Sequence, residues 1–183
     1  MVYKLFDLKE TGGLGKKLTL ERNEDRGWRA VPCDANLDDT LEKLSVLHEA
    51  GACPTEIVGL AATGDYLIVK QPLCYPFDNF EEDRRIAAAS IKAVVPKYSI
   101  GQEIRVIWLQ DQAWCIGDLH KGNIMRESNG APTIIDALIG PLPPELLRAE
   151  PALQTAANRA RDLREGREPP PDDLFHGVSD DEL

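Results

Sequence analysis

The sequence predicts an α+β fold. Residues 1 to 36 read as short strands and turns, two later segments carry apolar residues at helical spacing, and apolar runs flank a tight-turn dipeptide at Asn129-Gly130. At 183 residues the chain fits one domain of two unequal lobes, and 43% apolar residues suffice for a core.

Within the first segment, "TGGLGKK" at 11–17 invites comparison with a phosphate-binding loop. It fails the Walker pattern, because the first glycine would fall at Glu10 and the hydroxyl residue after Gly-Lys is Lys17. It reads as a flexible turn between strands or as a loop covering a nucleotide. Residues 38–50 form a helix: Asp38 or Asp39 can cap it, Leu37, Leu41, Leu44 and Leu47 recur near helical spacing, and Gly51 can end it. "EIVGL" and "DYLIVKQP" follow as strands around an "ATG" turn, and Pro72 and Pro76 mark an extended connector. A second helix runs from about Asn79 to Val95, with an acidic first turn, a buried stripe of Ala87, Ile91, Val94 and Val95, and a stop at Pro96. "EIRVIWL" and "AWCI" are strand-like. Beyond Gly140 two short helices are expected, separated at Pro151, and 165–183 is an acidic, flexible tail.

Composition excludes several classes. No apolar run approaches the roughly 20 residues of a membrane span, and the N-terminus lacks a signal-peptide pattern, so a cytoplasmic protein with no membrane association is expected. Cys33, Cys53, Cys74 and Cys115 are widely spread with no CxxC pair, which argues for reduced thiols over zinc or disulfides. Net charge is −10; seven acidic residues against one Arg place −6 of it in 165–183, leaving −4. No nucleic-acid surface is expected from that balance.

The segment "CIGDLHKGNIMRESNGAPTIIDALIG", 115–140, concentrates polar chemistry. A two-residue turn at Asn129-Gly130 pairs Asn123 with Asp136 across the hairpin, with side chains about 5 Å apart at Cβ. Ile124 and Ile135 would then face the core. An amide oxygen and a carboxylate converging there suit Mg²⁺ bound with substrate phosphates, and Asp118 could take a proton from an attacking hydroxyl.

These residues resemble the protein-kinase-like superfamily. "GDLHKGN" places Asp118 and Asn123 five residues apart, as in the H-R-D…N catalytic loop, and "IIDAL" puts Asp136 in the D-F-G position. His120, two residues after the Asp, is similar to the aminoglycoside phosphotransferase branch. "LIVKQP" followed by "GDLH..N" and "IIDA" is most similar to kinase-like domains of polyvalent proteins from phages and mobile elements. The resemblance covers roughly 37–140 and implies a reduced kinase-like fold. Residues 1–72 would be a small β-rich N-lobe with an αC-like helix at 38–50, and 73–164 a truncated helical C-lobe. It implies Asp118 as catalytic base, Asn123 and Asp136 as Mg²⁺ ligands, and ATP as nucleotide. Glu42 would be an ion-pair carboxylate or an exposed helix residue, and Lys70 a phosphate ligand or a sheet-edge charge. Gln71 to Leu73 would meet adenine through their backbone. His120 or Lys121 would touch a phosphate, His120 alternatively holding the loop backbone. No VAIK-type lysine precedes the αC-like helix; Lys16, Lys17 and Arg29 are the candidates. The D-F-G Phe and Gly are Ala137 and Leu138, and no APE motif follows.

The leading expectation is a minimal kinase transferring a phosphoryl group to a small-molecule or protein hydroxyl. A pseudokinase or interaction module, with a homodimer or host-protein partner, is the alternative. A metal hydrolase ranks third, because His48 and His176 lie far from the cluster in sequence.

Overall fold

The computed structural model describes residues 1–23, 27–98, 100 and 103–167. The expected tail from 168 onward, His176 included, lies outside them. The fold is α+β: β1 (Val2–Asp7), β2 (Lys16–Asn23), β3 (Gly27–Asp34), α1 (Leu37–Ala50), β4 (Glu56–Leu60), β5 (Tyr66–Gln71), α2 (Phe80–Ser90), β6 (Ile104–Leu109), β7 (Gln112–Gly117), β8 (Ile124–Arg126), β9 (Pro132–Ile134), β10 (Leu138–Pro141), α3 (Pro144–Ala149) and α4 (Pro151–Arg164). The strands form antiparallel sheets ordered β1-β5-β4 and β10-β7-β6, and two hairpins, β2-β3 and β8-β9.

The central sheet β10-β7-β6 is buried on both faces because its strands alternate between two cores. Val106 and Cys115, a cross-strand pair, face α4, whose Leu153, Ala156, Ala157 and Ala160 pack with them. The next pair, Ile107 and Trp114, faces Val46 and Leu47 of α1, Ala87 and Ile91 around the end of α2, and Ile124 and Ile134 of the β8-β9 hairpin. Burying each such aliphatic side chain contributes roughly 1.5–3 kcal/mol. A small third core joins Leu44, Leu67 and Val69 to Phe6 and Leu41. The first 72 residues therefore do not share one core, since Leu18 of β2 packs with β6, β7 and α4. Strand β2 crosses β10 so closely that a Cβ on Gly140 would lie 1.8 Å from the Leu18 carbonyl oxygen. Only glycine fits there.

Helix α1 begins one cap earlier than the acidic pair suggested. The Asn36 side chain accepts the Asp39 N–H at 2.9 Å while Asp39 accepts the Asn36 N–H at 3.0 Å, a capping box, and Gly51 closes the helix with φ 95°. Helix α2 stops at Ser90, short of Val95. Lys92 turns left-handed (φ 58°), and Val94 pairs with Val106 as an isolated bridge, leaving Val95 exposed. Gln110 and Asp111 make the β6-β7 turn with positive φ at both residues, and no glycine announces it.

Arg126 of β8 clamps the hairpin to α2. Its Nε and one terminal nitrogen donate to the two oxygens of buried Asp83 at 2.7 and 2.8 Å, and the other terminal nitrogen donates to Asp78. Those hydrogen bonds hold the Asp83 carboxyl below its usual pKa. On the outer face of β1-β5, Tyr3 and Leu5 stay exposed, as do Val58 and Leu60 on the edge strand β4. Among the described residues no helix is long and apolar enough to cross a membrane.

Candidate functional site

The loop between β7 and β8 carries Asp118, His120, Lys121 and Asn123. Asp118 is left-handed (φ 61°), a conformation that aspartate tolerates better than most residues, and its side chain is exposed. The Asn123 Nδ2 donates to the Asp118 backbone oxygen at 2.7 Å and to Asp118 Oδ2 at 3.3 Å. Two acceptors around one atom fix the amide orientation, so Oδ1 is the oxygen left for a cation. His120 Nδ1 accepts the Gly122 N–H at 2.8 Å, so a neutral ring carries its proton on Nε2, 3.6 Å from Asp118 Oδ1. His120 thus holds the loop backbone. A Cβ on Gly122 would meet the ring at 2.8 Å, so the turn depends on that glycine.

The hairpin register differs by one residue from the expected one. Ile124 pairs with Ile134, and the Ile135 N–H donates to the Asn123 oxygen, so Asn123 stands opposite Ile135 rather than Asp136. The cause lies in the turn. Glu127 pairs with Ala131 around a three-residue loop, only Gly130 has positive φ, and the Asn129 side chain accepts the Ala131 N–H. A two-residue type I′ turn would need positive φ at Asn129 too. Ile134, not Ile135, is consequently the buried partner of Ile124.

Asp136 is half-buried and meets a lysine that the sequence reading did not select. Lys43 of α1, with 5% of its side chain exposed, reaches Asp136 Oδ1 at 3.3 Å. The Ala137 N–H donates to the same oxygen at 2.9 Å, so Oδ2 keeps its lone pairs. Glu42, the expected ion-pair carboxylate, is exposed on α1, and its neighbour turns inward instead. The signal was available in principle: Lys43 lies on the stripe of Thr40, Leu44, Val46 and Leu47, where a solvated lysine has no place. Of the other lysine candidates, Lys17 pairs with Asp39 at 2.8 Å, Arg29 pairs with Glu21 at 3.2 Å, and Lys16 is exposed.

The loop before Asp136 is pinned from the N-terminal sheet. Lys4 Nζ donates to the Ile135 oxygen at 3.1 Å, and Gln71 Nε2 donates to Thr55 Oγ1 at 2.6 Å and to the same Ile135 oxygen at 3.4 Å. Gln71 therefore acts on this site through its side chain. Lys70 points from the opposite face of β5 and pairs with Glu56 at 2.6 Å, as a sheet-edge charge does. Leu73 is exposed in the connector. The glycine-rich turn folds against the site: the Thr40 hydroxyl donates to the Leu14 oxygen at 3.0 Å, and a Cβ on Gly15 would lie 3.8 Å from Lys43 Nζ.

Two spaces border these groups. Between β1, α1 and Asp136, only about 10 Å³ is free, lined by Lys4, Phe6, Lys43 and Gln71 among others. Beside Asp118 a cleft of about 340 Å³ opens between α2, β6 and the loop. Among the described residues no three His, Cys, Asp or Glu side chains form a metal-binding group. The donors that fit a hard, partly hydrated cation are the Asn123 amide oxygen and the free Asp136 oxygen. No family model, no curated protein and no solved structure matches this chain.

Proposed function

We propose that the chain binds a magnesium–nucleoside triphosphate beside Asn123 and Asp136 and transfers the terminal phosphoryl group to a hydroxyl. The observation that carries this reading is the orientation of Asn123: its amide nitrogen is committed to Asp118, and its oxygen is free on the strand that adjoins the Asp136 loop. Lys43 supplies a fixed positive charge next to Asp136, in place of the missing VAIK-type lysine. Bound there, Mg²⁺ supplies charge neutralisation for the phosphates. Asp118 accepts the hydroxyl proton. The acceptor oxygen bonds to the terminal phosphorus while the bond from that phosphorus to the bridging oxygen breaks, and the nucleoside diphosphate departs. Positioning and electrostatics carry most of the rate in such a transfer, so this small set suffices.

A second reading, a nucleotide-free interaction module, is favoured by the 10 Å³ left between β1, α1 and Asp136, which admits no base. Calorimetric titration of Mg-ATP separates the two. Under the first reading wild type binds, Asp136→Ala loses binding, and Asp118→Ala binds normally but loses turnover by about 10²–10⁴-fold. Wild-type protein that takes up no heat would establish the module. Equal binding by wild type and Asp136→Ala would refute the site assignment.

A further inference from the structure

The cleft of about 340 Å³ beside Asp118 is lined by Phe80 and Arg84 of α2, Glu103, Arg105 of β6, Ile116 of β7, and Asp118, Leu119, His120 and Lys121 of the loop. Its lining includes the proposed base but neither Asn123 nor Asp136, and it shares no lining residue with the space beside Asp136. Its volume is that of a small-molecule site.

Its charge is unevenly satisfied. Arg84 donates to Glu103 at 2.9 Å and to Glu81 at 2.8 Å and is neutralised. Arg105 shares the same Glu103 carboxylate only at 3.4 Å, although 12% of its side chain is exposed, and its Nε is buried with no hydrogen-bond partner. A buried guanidinium donor without an acceptor is costly, and burial together with the charge of Arg84 depresses the pKa of Arg105. Lys121 adds a second cation to the lining, its Nζ 5.9 Å from the centre of the Phe80 ring. Ile116 and Leu119 form an apolar wall. A ligand matching these features has an oxyanion for Arg105 and Lys121, a short carbon skeleton for Phe80 and Ile116, and a hydroxyl for Asp118.

We infer that this cleft is the acceptor site and takes a small alcohol bearing a phosphate or carboxylate group. The inference rests on the phosphotransfer reading for its role as acceptor site; the anion site itself stands on Arg105 and Lys121 lining one cleft. The test is calorimetry at low ionic strength with glycerol 3-phosphate, glycerate and glycerol, each with and without saturating Mg-ATP. Both anions bind, glycerol does not, and Mg-ATP leaves their affinity unreduced. Glycerol 3-phosphate weakens about tenfold or more in Arg105→Gln and in Lys121→Glu, the second being an exposed position whose change spares the fold. A melting curve accompanies each variant. Whichever of the two anions binds more tightly names the group the site prefers. Unchanged affinity in Lys121→Glu and in folded Arg105→Gln overturns the inference, as does displacement of the anion by Mg-ATP. Mg-ATP binding without anion binding overturns it and spares the nucleotide reading. Anion binding that depends on Arg105, in a protein that never binds Mg-ATP, keeps the anion site and overturns its role as acceptor site.

Discussion

Lys43 occupies a helix face whose other members are apolar or small, and its charge is answered by a carboxylate that is half in water. A buried ion pair of this kind adds little stability, because desolving the ammonium offsets most of its attraction to Asp136. Asp136 is half in water and keeps its Ala137 N–H bond, so Lys43→Met leaves no fully buried charge behind and should fold with stability within about 1 kcal/mol of wild type. The same variant should lose Mg-ATP affinity about tenfold or more, since the only cation beside Asp136 on α1 is gone. Urea denaturation and calorimetry on one preparation check both halves; a variant that folds and still binds Mg-ATP like wild type would contradict the assignment. The Asp118 to Asn123 spacing was legible in the sequence because both residues lie within one loop. The inward face of Lys43 was legible from the apolar stripe it shares, but its partner was not, because Asp136 lies 93 positions away.

Among the elements, helices and strands were readable from apolar spacing, while their ends and register depended on single backbone conformations. α2 stops where Lys92 goes left-handed, and the β8-β9 hairpin slips by one because Asn129 does not. Neither residue type dictates that choice. The contact of β2 with β10 was equally hidden, since Gly140 in "LIGP" gives no sign that another strand crosses there. Gly140→Ala places a methyl against the Leu18 carbonyl and should destabilise the protein by about 1–3 kcal/mol, the usual range for overpacking. The midpoint of urea unfolding measures it. An unchanged midpoint would mean that the two strands part without penalty.

For the molecule as a whole, burial raises the thiol pKa of Cys53, Cys74 and Cys115, two of them far. Desolvation pushes Cys53 and Cys115 up to about 12, whereas an unfolded chain ionises them near the ordinary value of about 8.5. The folded values are raised, so this contribution is intact below the unfolded pKa and is lost as pH climbs through the window toward the folded one. Stability should fall between pH 9 and 12, by about 1.4 kcal/mol per pH unit from Cys115 alone. Unfolding free energies of wild type and Cys115→Ser at several pH values isolate that share, because other alkaline groups titrate alike in both. Parallel curves would refute it. The α+β class was legible at this scale, from the order of helical and strand-like segments. The distribution of cores was not, because β2, while paired with β3, also packs with β6, β7 and α4.

The bond from Lys4 to the Ile135 carbonyl joins positions 131 residues apart. During synthesis, the opening strand must therefore wait for nearly the whole described chain before its anchor exists. Loop-closure entropy slows such contacts. Until the Asp136 loop emerges, Lys4 lacks the Ile135 carbonyl, and the Gln71 amide has Thr55 alone of its two acceptors. Maturation of the proposed site is thus tied to completion of the chain, and a product that ends before Ile135 has no means of assembling it.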